Sequence, residues 1–187
     1  MARLEGTSPL SADHERMLDP SYLADLADRP IEQVRVMRAE CVAAETGLSY
    51  LRRMVQGPLD IVGHELARRA EGAGSSDLAA IVADLPDALG EHGRPPGVGR
   101  LPRTLEPTDV DPELEAALDA LVGDGRLARV PDMADDELAD LAGRLRDYEE
   151  LVSDRRRAFF GAIDALQAEI ARRYRDGEAS VESLLEG

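Results

Sequence analysis

Two stretches of this sequence are copies of one another: residues 45–70 read ETGLSYLRRMVQGPLDIVGHELARRA, and residues 149–174 read EELVSDRRRAFFGAIDALQAEIARRY. Laid over each other without a gap, at an offset of 104, they share ten identical residues. Two unrelated helical segments rarely share so many, so the pattern indicates an internal duplication. The identical pairs are Glu45/Glu149, Ser49/Ser153, Arg52/Arg156, Arg53/Arg157, Gly57/Gly161, Asp60/Asp164, Glu65/Glu169, Ala67/Ala171, Arg68/Arg172 and Arg69/Arg173.

Apolar side chains recur three or four residues apart around both copies, which is the period of an amphipathic helix. They form one predicted seam on each helix: Leu48, Leu51, Val55, Leu59, Val62 and Leu66 on the first, and Leu138, Leu141, Leu145, Tyr148, Val152, Phe159, Ile163, Leu166 and Ile170 on the second, with Arg155 interrupting the row. The sequence therefore predicts an all-α protein in which two long helices form a coiled coil. The long connection permits either orientation, and antiparallel packing is favoured.

The chain divides into five predicted segments. They are an N-terminal arm with short helices (1–29), a first coiled-coil helix (30–71), a Gly/Pro-rich connection with short helices (72–131), a second coiled-coil helix (132–176) and a C-terminal tail (177–187). Asp28 is the expected cap of the first long helix, and Gly177 the expected stop of the second. Pro58 should kink or locally break the first helix.

The connection contains two short helical candidates, Ser76 to Leu85 and Pro112 to Val122, the second of them capped by Asp111. The stretch GEHGRPPGVGRLPRTLEP has no periodicity, so it predicts no regular element.

Composition excludes several classes of function. The formal net charge is −16, and all 22 basic residues are Arg. Such a chain should repel nucleic acid and suits a basic protein partner, although excess acid also simply keeps an elongated helical protein soluble.

No apolar run approaches the roughly 20 residues that span a bilayer, so we expect a cytoplasmic protein without a membrane segment. A single cysteine, Cys41, excludes an internal disulfide and should pack as a small apolar side chain.

A polar stripe borders each predicted seam. On the first helix it consists of Glu45, Ser49, Arg52, Gln56 and Asp60, which project within about 80° of one another. On the second helix it consists of Glu149, Ser153, Arg156 and Asp164, with Phe160 where the first has Gln56. Seam-to-seam packing should bring both stripes to the lips of one groove, related by a pseudo-twofold axis if the helices are antiparallel.

The stripes carry the chemistry that recognises guanine. Arg can bind guanine O6 and N7 as a fork or clamp a phosphate, and carboxylates can accept from guanine N1 and N2. A guanine nucleotide with twofold symmetry fits this inventory. The alternative is that these are surface ion pairs beside a coiled coil, each worth under about 1 kcal/mol. Gly57 and Gly161 weaken their helices by about 1 kcal/mol each, which suggests a need for close approach.

The motif Glu45-x3-Ser49-x2-Arg52-x3-Gln56-x3-Asp60 resembles the signature of the RsiG family, actinobacterial anti-sigma factors that use cyclic di-GMP. The stretches LDPSYLADLADR, AECVAAETGLSYLRRMVQGPLDIV and DALQAEIARRYRDGEASVESLL extend the resemblance over most of the chain outside residues 72–131.

The resemblance implies that two intercalated cyclic di-GMP molecules lie on an antiparallel coiled coil and bridge it to a WhiG-type sigma factor. The sigma factor is thereby kept from RNA polymerase, and sporulation genes are repressed. Carried onto this sequence, the binding residues are Glu45, Ser49, Arg52, Gln56, Asp60, Glu149, Ser153, Arg156 and Asp164. Phe160 departs from the pattern, and stacking or packing suits it better than a hydrogen bond.

The residue inventory does not suggest an enzyme. The three histidines lie apart, and the sequence has no phosphate loop, zinc spacing or nucleophile elbow. No metal site is expected either, because the Glu-x-x-His pairs of di-metal helix bundles are missing. The main alternative to an anti-sigma factor is a ligand-independent coiled-coil adaptor. Since one chain carries both stripes, we expect a monomer when the protein is free, and no direct binding to DNA.

Overall fold

The computed structural model describes residues 10–71, 107 and 109–177, and these residues form helices and connections without a β-strand. Within the described residues, four α-helices follow one another: α1 (Ala12–Leu18), α2 (Ile31–Ala70), α3 (Pro112–Val122) and α4 (Asp135–Arg175). The described part of the chain also has three 3-10 helices, which lie before the long helices at Pro20–Leu23, Leu26–Asp28 and Leu127–Asp132. The predicted all-α class is confirmed. The candidate helix Ser76 to Leu85 lies outside the described residues.

Two compact units divide the chain, and each contains part of both long helices. The first unit consists of Met1–Leu51, Pro107–Glu115 and Val152–Gly187. Within its described residues, Glu45 of α2 pairs with Arg156 of α4, and Arg35 donates a hydrogen bond to Tyr174. Higher numbers on one helix meet lower numbers on the other, so the two helix segments of this unit run antiparallel.

The second unit consists of Arg52–Glu106 and Ala116–Leu151. Within its described residues, Arg52 of α2 hydrogen-bonds Glu149 of α4 at 2.8 Å, and Arg69 pairs with Asp135 at 2.7 Å. The helix segments of the second unit are therefore antiparallel as well.

The ends of the long helices differ in part from the prediction. Asp28 does not cap α2, because it lies in a 3-10 helix and α2 begins at Ile31. Pro58 does not break α2, which continues through it to Ala70. Gly177 does adopt the left-handed conformation expected of a helix stop, with φ of 73°. Asp111 is confirmed as the cap of α3, since its carboxylate accepts from the backbone N–H groups of Glu113 and Leu114.

The predicted seam of α2 is wrong at two positions in its second half, Leu59 and Leu66, while Val62 is buried as predicted. Pro58 and Glu65 are buried there, whereas Leu59 and Leu66 are only half-buried. Alternate steps of three and four residues keep a seam on one side of a helix, whereas two successive steps of four rotate away from it. The prediction followed the large aliphatic side chains and so made two steps of four, from Leu51 onward. On α4, similarly, Ala162 is buried and Ile163 half-buried.

An arginine near the end of each long helix holds the segment that precedes the other long helix. In the second unit, Arg69 donates to the backbone carbonyls of Val130, Pro131 and Met133 while it pairs with Glu65 and Asp135. In the first unit, Arg173 donates to the carbonyls of Leu26, Ala27 and Arg29 while it pairs with Glu169. Every partner of Arg173 lies 104 residues from a partner of Arg69, so the duplication extends into these segments.

Glu65 and Glu169, the carboxylates that pair with Arg69 and Arg173, make the stability of the fold depend on pH. Hydrogen bonds from Arg172 and Arg173 lower the pKa of Glu169 to about 2, from an ordinary value of 4.5. Hydrogen bonding from Arg68 likewise lowers the pKa of Glu65. A carboxyl group with a lowered pKa stabilises the folded state above its unfolded pKa and loses that effect as the pH falls.

We therefore expect the free energy of unfolding to fall as the pH drops from about 5 toward about 2. A Glu65→Gln, Glu169→Gln double variant should be less stable at neutral pH and should show a shallower dependence over this range. Urea unfolding at a series of pH values measures both effects. Glu150→Gln at an exposed position is the matched control, and an equally steep dependence in both variants would contradict the assignment.

Candidate functional site

The stripe residues of the first unit form a cluster around Arg156, comprising Glu45, Ser49, Ser153, Arg156, Phe160 and Asp164. In this Arg156 cluster, the Arg156 Nε lies 3.2 Å from a carboxylate oxygen of Glu45. Ser49 donates a hydrogen bond of 2.7 Å to the same carboxylate oxygen. Glu45, Ser153 and Arg156 are half-buried, and Asp164 is exposed. Residues from both predicted stripes are thus brought together within this unit.

Phe160 belongs to the same cluster through its ring. The Arg156 Cζ lies 5.2 Å from the ring centroid, which is the arrangement of a cation–π contact. The side chain is nevertheless 41% exposed, an unusual position for a large aromatic residue on a polar face. Phe160 is therefore neither core nor a hydrogen-bonding substitute for Gln56.

The stripe residues of the second unit form the Arg52 cluster, comprising Arg52, Gln56, Asp60 and Glu149. Its centre is the hydrogen bond of 2.8 Å from the Arg52 Nε to Glu149. Gln56 and Asp60 follow along α2 and are exposed. The pair Arg52–Glu149 corresponds to the pair Arg156–Glu45 under the offset of 104, so the two clusters are copies.

The arrangement offers groups that can change partners. A guanidinium facing a carboxylate has further N–H donors, and a carboxylate has further lone pairs, because each group exceeds the needs of one ion pair. A guanine edge presents both acceptors for Arg and donors for Glu or Asp. Each cluster therefore contains donors and acceptors that match guanine. The assignment of these residues as a ligand site stays a prediction.

The repeated glycines do not serve close packing within the part of the chain that the structure describes. A Cβ atom built on Gly57 or Gly161 would meet no heavy atom within 4 Å. The close approach proposed for them from the sequence is therefore not a contact between the described helices. A glycine of α2 that does allow a close approach is Gly47, which lies between the stripe residues Glu45 and Ser49.

The cross-helix Arg–Glu pairs were not predicted from the sequence. When duplicated helices pack antiparallel, a stripe residue on one helix faces a different stripe position on the other helix, and not its own copy. Arg52 with Glu149 and Glu45 with Arg156 have the same sum of residue numbers, 201, as the offset of 104 requires of two equivalent antiparallel pairs. Once an antiparallel orientation is assumed, the duplication makes each pair imply the other, but it does not fix which residues face each other.

Residues 10–71 and 109–177 contain neither a metal site nor a membrane-spanning helix. These residues contain no group of His, Cys, Asp and Glu side chains arranged to hold a metal ion. None of their helices combines the length and apolar character needed to cross a membrane.

The sequence matches the RsiG-like family over residues 20–89 and 124–187, well over half of the chain. The chain belongs to the RsiG-like family. The second matched range begins 104 residues after the first, so the family match follows the duplication. No curated protein matches the chain.

RsiG-like membership indicates an anti-sigma factor role, with a sigma factor as partner in general. It also agrees with the resemblance drawn from the stripe motif. The ligand and the particular sigma factor are matters for proposal.

Proposed function

We propose that this chain is a cytoplasmic, non-catalytic anti-sigma factor that binds cyclic di-GMP through its two stripes and thereby sequesters a WhiG-type sigma factor. Sporulation genes are then repressed while the ligand is abundant. Two cyclic di-GMP molecules act together as the regulatory ligand, and no metal is required. Because one chain carries both stripes, it is a monomer when free.

The observation that carries this proposal is the pair of equivalent cross-helix contacts, Arg52–Glu149 and Arg156–Glu45. In each unit these contacts join a residue of one stripe to a residue of the other. Such a juxtaposition supports a ligand that needs Arg donors and carboxylate acceptors at the same place, as guanine does. The repetition of the contact in each unit suits a guanine ligand that is bound in two copies.

Charge supports a sigma factor as the partner. The chain has a formal net charge of −16, and proteins that bind DNA present basic surfaces. Cyclic di-GMP is an anion, and an acidic protein does not by itself attract an anion. Arg52 and Arg156 resolve this difficulty, because they place cations where the phosphates or guanine bases of the ligand would bind.

A ligand-independent adaptor is the second candidate function, and the same ion pairs favour it. Half-exposed Arg–Glu contacts between helices occur in many proteins and contribute little stability. An adaptor of this kind would bind its partner equally well with and without cyclic di-GMP. Isothermal titration of cyclic di-GMP into the chain, alone and mixed with the sigma factor, separates the two functions.

Arg52→Ala and Arg156→Ala should each weaken ligand-dependent binding of sigma by about 1.5–3 kcal/mol, because each removes charge-assisted hydrogen bonds to the ligand. The melting temperature should change little, since ion pairs that are partly exposed to solvent stabilise proteins weakly. Titration calorimetry in the presence of cyclic di-GMP measures the loss.

Arg53→Ala and Arg157→Ala are the matched controls, because these residues are also repeated but are exposed and lie off the stripes. They should bind ligand and sigma like the unaltered protein. Equal losses in controls and stripe variants would show only a general charge effect. Unaltered cyclic di-GMP binding in both stripe variants would disprove the site assignment.

A further inference from the structure

The two stripes differ at one register, where Gln56 of the first corresponds to Phe160 of the second. The difference changes how the neighbouring arginine is held. Arg156 has the Phe160 ring beneath its guanidinium, with the Cζ 5.2 Å from the ring centroid. A ring face attracts a cation without using any of its N–H donors. Arg156 is thus held in a way that leaves donors available.

The ion pairs of the two arginines also differ, because the pair of Arg156 lacks the Nε hydrogen bond that the pair of Arg52 has. The Arg52 Nε donates a hydrogen bond of 2.8 Å to Glu149. The Arg156 Nε lies 3.2 Å from Glu45 but makes no hydrogen bond to any described residue. Glu45 in addition accepts a hydrogen bond from Ser49. Moving Arg156 from its carboxylate to a ligand therefore breaks no Nε hydrogen bond, whereas moving Arg52 breaks one.

We propose that Phe160 is a positioning residue that holds Arg156 ready for a guanine or phosphate group of the ligand. The inference rests on the proposed function and assigns unequal parts to the two clusters. A side chain that is already oriented loses less freedom on binding, so its contacts contribute more to affinity. The Arg156 cluster accordingly supplies more of the affinity for cyclic di-GMP than the Arg52 cluster.

Two substitutions separate the ring from the apolar volume of Phe160. Phe160→Leu keeps an apolar side chain but removes the ring face, and Phe160→Tyr keeps the ring. Titration of cyclic di-GMP should show affinity about two- to fivefold weaker for Phe160→Leu, the range expected for a partly exposed cation–π contact. Phe160→Tyr should retain the affinity of the unaltered protein. Met54→Leu, at another exposed apolar residue, should leave affinity unchanged.

A second measurement detects positioning without ligand. The Arg156 Nε–H signal in a nitrogen–proton spectrum, identified by its loss in Arg156→Lys, should carry a ring-current shift. The shift should vanish in Phe160→Leu and persist in Phe160→Tyr. A purely structural role of Phe160 would not move this signal selectively.

Each outcome decides between the ideas. Equal affinity of Phe160→Leu and the unaltered protein would overturn the positioning role and leave the proposed function standing. Weaker binding by Phe160→Leu without a change in the Arg156 signal would also overturn it, because the ring would then contact the ligand directly. Absence of cyclic di-GMP binding by the unaltered protein would reject the proposed function itself.

Discussion

Gly47→Ala should lower the free energy of unfolding by about 3 kcal/mol or more, at the upper end of the usual cost of overpacking. The added Cβ would lie 1.9 Å from the carbonyl oxygen of Asp109 and 2.9 Å from its carbonyl carbon. These are backbone atoms rather than the end of a flexible side chain. Relief therefore requires that the chain around Asp109 move away from α2.

That movement is opposed by contacts two residues further on. The buried Asp111 carboxylate caps α3, accepts hydrogen bonds of 2.8 and 2.9 Å from the backbone and side chain of Ser11, and lies 2.8 Å from the Nδ1 of buried His14. The rings of His14 and Phe159 in turn pack in a T-shaped arrangement, with their centroids 5.6 Å apart. Shifting Asp109 would disturb this buried polar group, so the substitution cannot be accommodated cheaply.

Gly57→Ala and Gly161→Ala are the matched controls for Gly47→Ala. All three replace a helical glycine, but a Cβ at Gly57 or Gly161 meets nothing within 4 Å. Each control should therefore stabilise the fold by about 1 kcal/mol through helix propensity. Urea unfolding of the three variants measures the contrast. A Gly47→Ala protein as stable as the controls would show that the approach of Asp109 to α2 is not a feature of the folded protein.

Periodicity predicted the helices because it depends on local geometry alone. The all-α class, the extent of α3 and the turn at Gly177 all follow from patterns within a few residues. The predicted seam is wrong at Leu59 and Leu66 because the large aliphatic side chains there lie one residue beyond the positions of strict heptad spacing. Glu65 is buried because Arg68 and Arg69, three and four residues further along α2, neutralise its carboxylate, and the spacing of apolar residues does not reveal such a pairing.

The duplication was visible in the sequence, but identity alone did not separate its causes. Glu65, Arg69 and their copies were counted with the stripes as one repeated signal. The structure shows that this part of the repeat holds backbone carbonyls and so stabilises the fold. The pairing of Arg52 with Glu149 could not be derived, because the register between two helices depends on packing along their whole length. Identical residues in a repeat can therefore reflect contacts that stabilise the fold as readily as a ligand site.

Cyclic di-GMP should raise the affinity of the chain for sigma by about 5- to 150-fold or more. This factor corresponds to a coupling free energy of about 1–3 kcal/mol or more. The reason is that Arg52 and Arg156 are already paired with Glu149 and Glu45. A ligand that contacts both proteins replaces these weak pairs by charge-assisted hydrogen bonds that exist only in the complex. Thermodynamic linkage requires that sigma raise the affinity for the ligand by the same factor.

Four titrations measure this coupling: sigma into the chain with and without saturating cyclic di-GMP, and cyclic di-GMP into the chain with and without sigma. The two ratios should agree, and an Arg52→Ala, Arg156→Ala double variant should reduce both toward one. Cyclic di-AMP is the matched ligand control, because adenine lacks the N1 and N2 donors and the O6 acceptor of guanine. It should not promote sigma binding. Equal sigma affinity with and without cyclic di-GMP would instead identify the chain as a ligand-independent adaptor, in which the stripe pairs only join the two helices.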